Sequence, residues 1–81
     1  MRKLVEVIGV GTRKKGLSKK GNKYDFTEIS IAYEADGVVG RKSETVAVDA
    51  AVRADRVVAP GEVLDIVMHQ ANFKTYVDAI L

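Results

Sequence analysis

The chain has 81 residues, no cysteine, a single histidine and a net charge of +2. That length makes one domain with a modest core, burying roughly 60–65% of its unfolded surface. Disulfide and thiolate chemistry are excluded, and with no long apolar run neither a signal peptide nor a membrane span is expected, so the expected setting is a reducing cytoplasm.

Residues 4–12, LVEVIGVGT, are rich in β-branched side chains and predict a strand, with Gly9 and Gly11 marking a bend or bulge. Residues 13–22 predict a flexible basic loop. Six of the eleven residues from Arg13 to Lys23 are basic (Arg13, Lys14, Lys15, Lys19, Lys20 and Lys23), none is acidic, and Gly16 and Gly21 interrupt the run. Residues 23–34, KYDFTEISIAYE, predict a long second strand. Period-two alternation gives Ile29, Ile31 and Tyr33 to the core. It gives Tyr24, Phe26, Glu28, Ser30 and Ala32 to the other side, wet for at least its first half. Asp36-Gly37 is a turn. Residues 42–49 predict a third strand with Val46 and Val48 inward, opened by Arg41 and Lys42. Asp49 is a good helix cap, and the alanines after it predict one or two helical turns at 50–56. Pro60-Gly61 is a turn. Residues 62–69 predict a fourth strand that alternates Leu64, Ile66 and Met68 against Val63, Asp65, Val67 and His69. Residues 70–72 make a connection, and 73–80 predict a fifth strand.

This order predicts an all-β fold: a small five-stranded OB-like Greek-key barrel, with a short helical turn between the third and fourth strands. An SH3-like barrel is the nearest rival by strand count.

Charge is unevenly spread. Residues 1–24 carry eight basic side chains and one acid, for +7, whereas residues 25–81 carry five basic and ten acidic, for −5. Such polarity predicts a local anion-binding region. The basic run leads directly into Tyr24 and Phe26, on one side of a strand. Cations for phosphates beside flat rings for bases are what single-stranded nucleic acid requires. Arg41 and Lys42 are expected to extend the track.

Other motifs fail on chemistry. Gly16–Lys23 looks like a phosphate-binding loop, but Asn22 occupies the place of the lysine and a strand follows where a helix is needed. Gly9 and Gly11 lack the third glycine of a dinucleotide fingerprint. One histidine without cysteine cannot build an ordinary zinc site or a catalytic triad, and His69 reads as structural. Asp25 and Glu28 fall on opposite faces of their strand and make a poor acid–base pair. No enzyme activity, metal or cofactor is expected.

Three blocks carry a family resemblance: the basic loop with its exit Ser18–Tyr24 followed by Phe26 and Glu28; Ala59-Pro60-Gly61 opening a strand; and Phe73-Lys74 after the fourth strand. In order and spacing they cover most of residues 12–75 and resemble the single-stranded DNA-binding proteins of filamentous phages, the gene V protein type. The resemblance implies a cytoplasmic, dimeric OB-like protein that coats single-stranded DNA cooperatively. It implies that Tyr24 and Phe26 contact DNA, that Arg13, Lys19 and Lys20 belong to the cationic loop, and that Phe73 matches an aromatic of the family's dimer-related hairpin. That hairpin is longer in the family than His69–Tyr76 allows.

The expectation is a sequence-tolerant single-stranded DNA-binding protein that catalyses nothing. A homodimer is also expected, because Val63, Val67 and Tyr76 leave apolar surface that one barrel does not cover. Two other classes fit the same residues: an RNA-binding OB or cold-shock-like module, and a protein-interaction domain whose basic loop meets an acidic partner.

Overall fold

The structure, a computed structural model, describes residues 1–53 and 56–81. Five strands and one helical turn follow one another: β1 Arg2–Leu17, β2 Lys23–Tyr33, β3 Lys42–Asp49, α1 Ala50–Arg53, β4 Val63–Ala71 and β5 Lys74–Ile80. The strands close into a barrel in the order β1-β2-β3-β5-β4, with β4 returning to β1. All pairings are antiparallel except β3 with β5, where Val46 lies opposite Thr75 and Val48 opposite Val77. The barrel is therefore OB-like, with its helical turn between the third and fourth strands as expected.

Alternation sets what the barrel encloses. Val5 and Val7 from β1, Ile29 and Ile31 from β2, and Val46 and Val48 from β3 point inward. They meet Leu64, Ile66 and Met68 from β4 and Val77 from β5. Each such aliphatic side chain stabilises by about 1.5–3 kcal/mol when fully buried. Tyr33, expected in the core, is buried there, and its hydroxyl donates to the Glu44 carboxylate. Burial first, then the adjoining carboxylate, push the phenol up to about 12.

The Asp49 carboxylate accepts the Ala51 N–H at 2.9 Å, satisfying one of the free donors at the start of α1. Residues 54–55 of the helical turn expected at 50–56 lie outside the described residues. Val52 of α1 packs against the core, which Val58 joins from the segment that follows. The Pro60-Gly61 turn forms, with Glu62 N–H donating to the Ala59 carbonyl at 3.2 Å.

Two boundaries differ from expectation. First, β1 does not stop at Thr12. Arg13 to Leu17 continue the ladder, paired with Thr27 back to Lys23. Only Ser18–Asn22 leave the strands, so Arg13, Lys14 and Lys15 are strand residues. The ladder register is irregular after Val7 and again after Val10, where Gly9 and Gly11 sit, which lets one long strand bend from barrel into hairpin. Second, β4 runs to Ala71 and β5 begins at Lys74, so Phe73 is a turn residue and not the start of a strand. Asn72 and Phe73 both have positive φ, 51° and 64°, as a two-residue type I′ hairpin demands.

Candidate nucleic-acid interface

The β1–β2 hairpin holds together because its cations face acids from the opposite strand. Lys15 pairs in register with Asp25, and Arg13 reaches the same carboxylate, its Nε donating to Oδ1 at 2.6 Å. On the other face, Lys14 Nζ lies 3.4 Å from Glu28 Oε1. Cross-strand opposite charges of this kind support a ladder that Lys and Arg alone would not favour. The Arg13 guanidinium holds the Asp25 carboxyl below the usual carboxylate range, and the Lys14 ammonium, helped by Lys74, does the same to Glu28.

At the tip, Gly21 N–H donates to the Ser18 carbonyl at 2.9 Å and Ser18 N–H to the Asn22 carbonyl at 2.8 Å. This is a three-residue loop, Lys19-Lys20-Gly21, and Gly21 takes the left-handed position with φ 81°. Lys19 and Lys20 thereby sit at the apex, exposed. Among the described residues, Lys15, Lys19, Lys20 and Lys23 have no carboxylate within ion-pair distance.

Tyr24 is 42% exposed and lies across β1 directly over Gly16, its cross-strand partner. A Cβ built on Gly16 would come within 2.7 Å of the Tyr24 hydroxyl, so the glycine makes room for the ring. Phe26 is half-buried, 5.9 Å from Tyr24 between ring centroids. Two ammonium groups flank Phe26, Lys74 at 4.5 Å from the ring centre and Lys14 at 5.9 Å. Glu28 bridges the two lysines, 3.4 Å from Lys14 and 3.5 Å from Lys74.

Arg41 and Lys42 lie toward the other end of β2, where Lys42 pairs with Tyr33. Arg41 meets Glu6 at 3.1 Å, and Lys42 lies 3.9 Å from Glu44. Lys42 joins the aromatic face through an open groove of about 420 Å³ that it lines with Glu28, Thr45, Phe73 and Lys74. Phe73 projects fully into solvent at the hairpin tip. The structure thus brings Lys14, Tyr24 and Phe26 together on one outer face, with Lys19, Lys20 and Lys23 at the adjoining tip. Arg13 and Lys15 belong to the opposite face of the hairpin, beside Asp25.

Sequence reasoning missed Lys74 at this site. His69, read as structural, stacks on its cross-strand partner Tyr76, with ring centroids 5.4 Å apart. The only available signal was alternation in 73–80, which groups Lys74 with Tyr76 but does not say which strand they adjoin. Among the described residues no group of three or more His, Cys, Asp or Glu is placed to hold a metal ion. No helix among them is long and apolar enough to cross a membrane. Compared with protein-family models, curated proteins and solved structures, the chain matches none.

Proposed function

We propose that this chain is a sequence-tolerant single-stranded DNA-binding protein of a phage or mobile element, acting in the cytoplasm without a cofactor. The observation that carries the reading is the exposed Tyr24 ring beside half-buried Phe26, under two flanking lysines and next to a hairpin tip bearing further lysines. Rings offer stacking to any base, and ammonium groups meet the phosphates. The resemblance to the filamentous-phage proteins at Ser18–Tyr24, Ala59–Gly61 and Phe73-Lys74 points the same way. So does the OB-like barrel, whose β2–β3 face and β1–β2 and β4–β5 loops commonly serve nucleic acids.

A homodimer belongs to the same proposal. Leu4, Ile8 and Val63 leave an exposed apolar patch on the outside of β1 and β4, away from Tyr24 and Phe26. Two-fold association would cover it without obstructing the binding face.

Fluorescence titration with poly-dT against duplex DNA tests the reading, with Tyr24→Ala alongside. Poly-dT should bind more tightly than duplex, and the variant should lose about 1–3 kcal/mol of affinity, the range for one lost stack. Its melting temperature should hardly move, because the ring is exposed. Equal binding of duplex, or a Tyr24→Ala protein with unchanged affinity, would remove base stacking from the account. Competition by the matching ribo-oligomer separates DNA from RNA preference.

A further inference from the structure

The outer face does not end at Phe26. Ala47 lies opposite Glu28 on one side and Tyr76 on the other, so β3 contributes only a methyl group between β2 and β5. Across that low floor the Lys74 ammonium stands 4.5 Å from the Phe26 ring centre and 5.9 Å from that of Tyr76. Tyr76 is in register with His69, and their rings stack at 5.4 Å with 21° between planes. Asp78 Oδ1 lies 2.7 Å from His69 Nδ1 and fixes the imidazole orientation. His69 is exposed and Tyr76 half-exposed.

Cross-strand packing alone would account for two rings touching. It does not account for one ammonium set between this ring pair and that of Tyr24 and Phe26. Tyr24, Phe26, Lys74, Tyr76 and His69 form a continuous run of ring, ring, cation, ring, ring around the barrel. Because one ammonium touches both Phe26 and Tyr76, these rings are at most about 10 Å apart. That is a step between neighbouring or next-neighbouring bases of an extended strand, with a phosphate above Lys74.

We propose that His69 and Tyr76 form a second base-stacking site, reached by single-stranded DNA that runs from Tyr24 and Phe26 over Lys74. The inference rests on the DNA-binding reading above and adds to it a path for the strand and a minimum length. A short oligomer fills the Tyr24/Phe26 site alone, whereas a longer one engages both.

The test uses oligothymidylates of roughly four and roughly ten nucleotides, within the span of about 4–16 that OB-folds occupy. Wild-type protein should prefer the longer one. His69→Ala should weaken the longer oligomer roughly five- to a hundredfold, leave the shorter one unchanged and leave the melting temperature unchanged. Because the chain has a single histidine, its C2–H proton resonance reports the site directly. That resonance should move upfield with the longer oligomer and stay in place with the shorter. Tyr24→Ala, by contrast, should weaken both. If His69→Ala binds both lengths as wild type does while Tyr24→Ala remains weak, the second site falls and the DNA-binding reading stands. If neither oligomer binds wild-type protein, or if Tyr24→Ala also has no effect, the underlying reading falls and takes the second site with it.

Discussion

Glu28 puts a carboxylate in the middle of the proposed DNA face, and replacing it by glutamine should strengthen binding. Its carboxylate lies 3.4 Å from the Lys14 ammonium and 3.5 Å from that of Lys74. A phosphate touching either lysine would stand about 6–7 Å from the carboxylate. At that distance two like unit charges repel about four times as strongly at the lower dielectric of a protein surface as in bulk water, before salt screening. Glu28→Gln keeps the shape, removes the repulsion and releases two ammonium groups. Affinity for poly-dT should rise about three- to tenfold at moderate salt. The gain should shrink as salt increases, because it is electrostatic in origin. The log–log salt slope should steepen by about 0.7 for each freed lysine that meets a phosphate. Fluorescence titrations of both proteins across a salt series measure both quantities. Unchanged or weaker binding by Glu28→Gln, with the fold intact by circular dichroism, would refute the placement of DNA over Lys14 and Lys74.

Three further outcomes follow from the geometry. Gly16→Ala should displace the Tyr24 ring, since its new Cβ would stand 2.7 Å from the hydroxyl; because only an exposed side chain must move, poly-dT affinity should drop by about 1 kcal/mol or more with little change in melting temperature. Phe73→Gly should raise stability by about 1 kcal/mol in urea unfolding, because Phe73 holds φ at 64° where only glycine is unstrained; a loss of stability would mean that the exposed ring packs on something. Tyr33 should make the protein less stable as pH rises from about 10 to about 12, because its phenol is raised to about 12 when folded: below the unfolded value both states keep the proton, above it the unfolded state ionises first, and Tyr33→Phe should abolish this dependence.

The core was legible because its spacing is regular. Ile29, Ile31 and Tyr33, or Leu64, Ile66 and Met68, recur at every second position as large apolar side chains and so declare an inner face before any partner strand is known. Asp49 and Pro60-Gly61 were legible for a local reason, since a cap and a turn need only their neighbours in the chain. The continuation of β1 into Arg13–Leu17 was hidden. A run of cations with glycines reads as a loop, and what makes it a strand is Asp25 and Glu28, roughly a dozen residues away on β2. The face formed by Lys74, Tyr76 and His69 was hidden by distance. It depends on β5 lying parallel beside β3, a pairing that no local pattern announces. Phe73 was misread because a bulky residue seldom occupies a left-handed turn position. Asn72 was the sole hint, and Asn-Gly is the pair normally associated with such a turn.

The same ion pairs that make the hairpin a strand also set how strongly salt should weaken DNA binding. The eight basic residues expected along the track, with Lys74 added by the structure, would give a log–log slope near −6 at about 0.7 per contact if all nine met phosphates. The structure removes most of them from that tally. Arg13 is committed to Asp25, Lys14 and Lys74 share Glu28, Arg41 holds Glu6, and Lys42 lies by Glu44. A cation already neutralised by a carboxylate holds few counterions to release, so trading that carboxylate for a phosphate gains little entropy. Among the described residues this leaves Lys19, Lys20 and Lys23 as the unpaired lysines beside the DNA face, Lys15 being on the other side of the hairpin. Three contacts give a slope of about −2. A measured slope near −6 would mean that the ion pairs open when DNA binds, and the hairpin ladder from Arg13 to Leu17 would then lose its cross-strand support, visible as faster amide exchange there in the complex. A slope near zero would mean that the lysine tip does not touch the phosphates. A slope close to −2, steepening in Glu28→Gln, would show a charged surface divided between holding its own strands together and holding DNA.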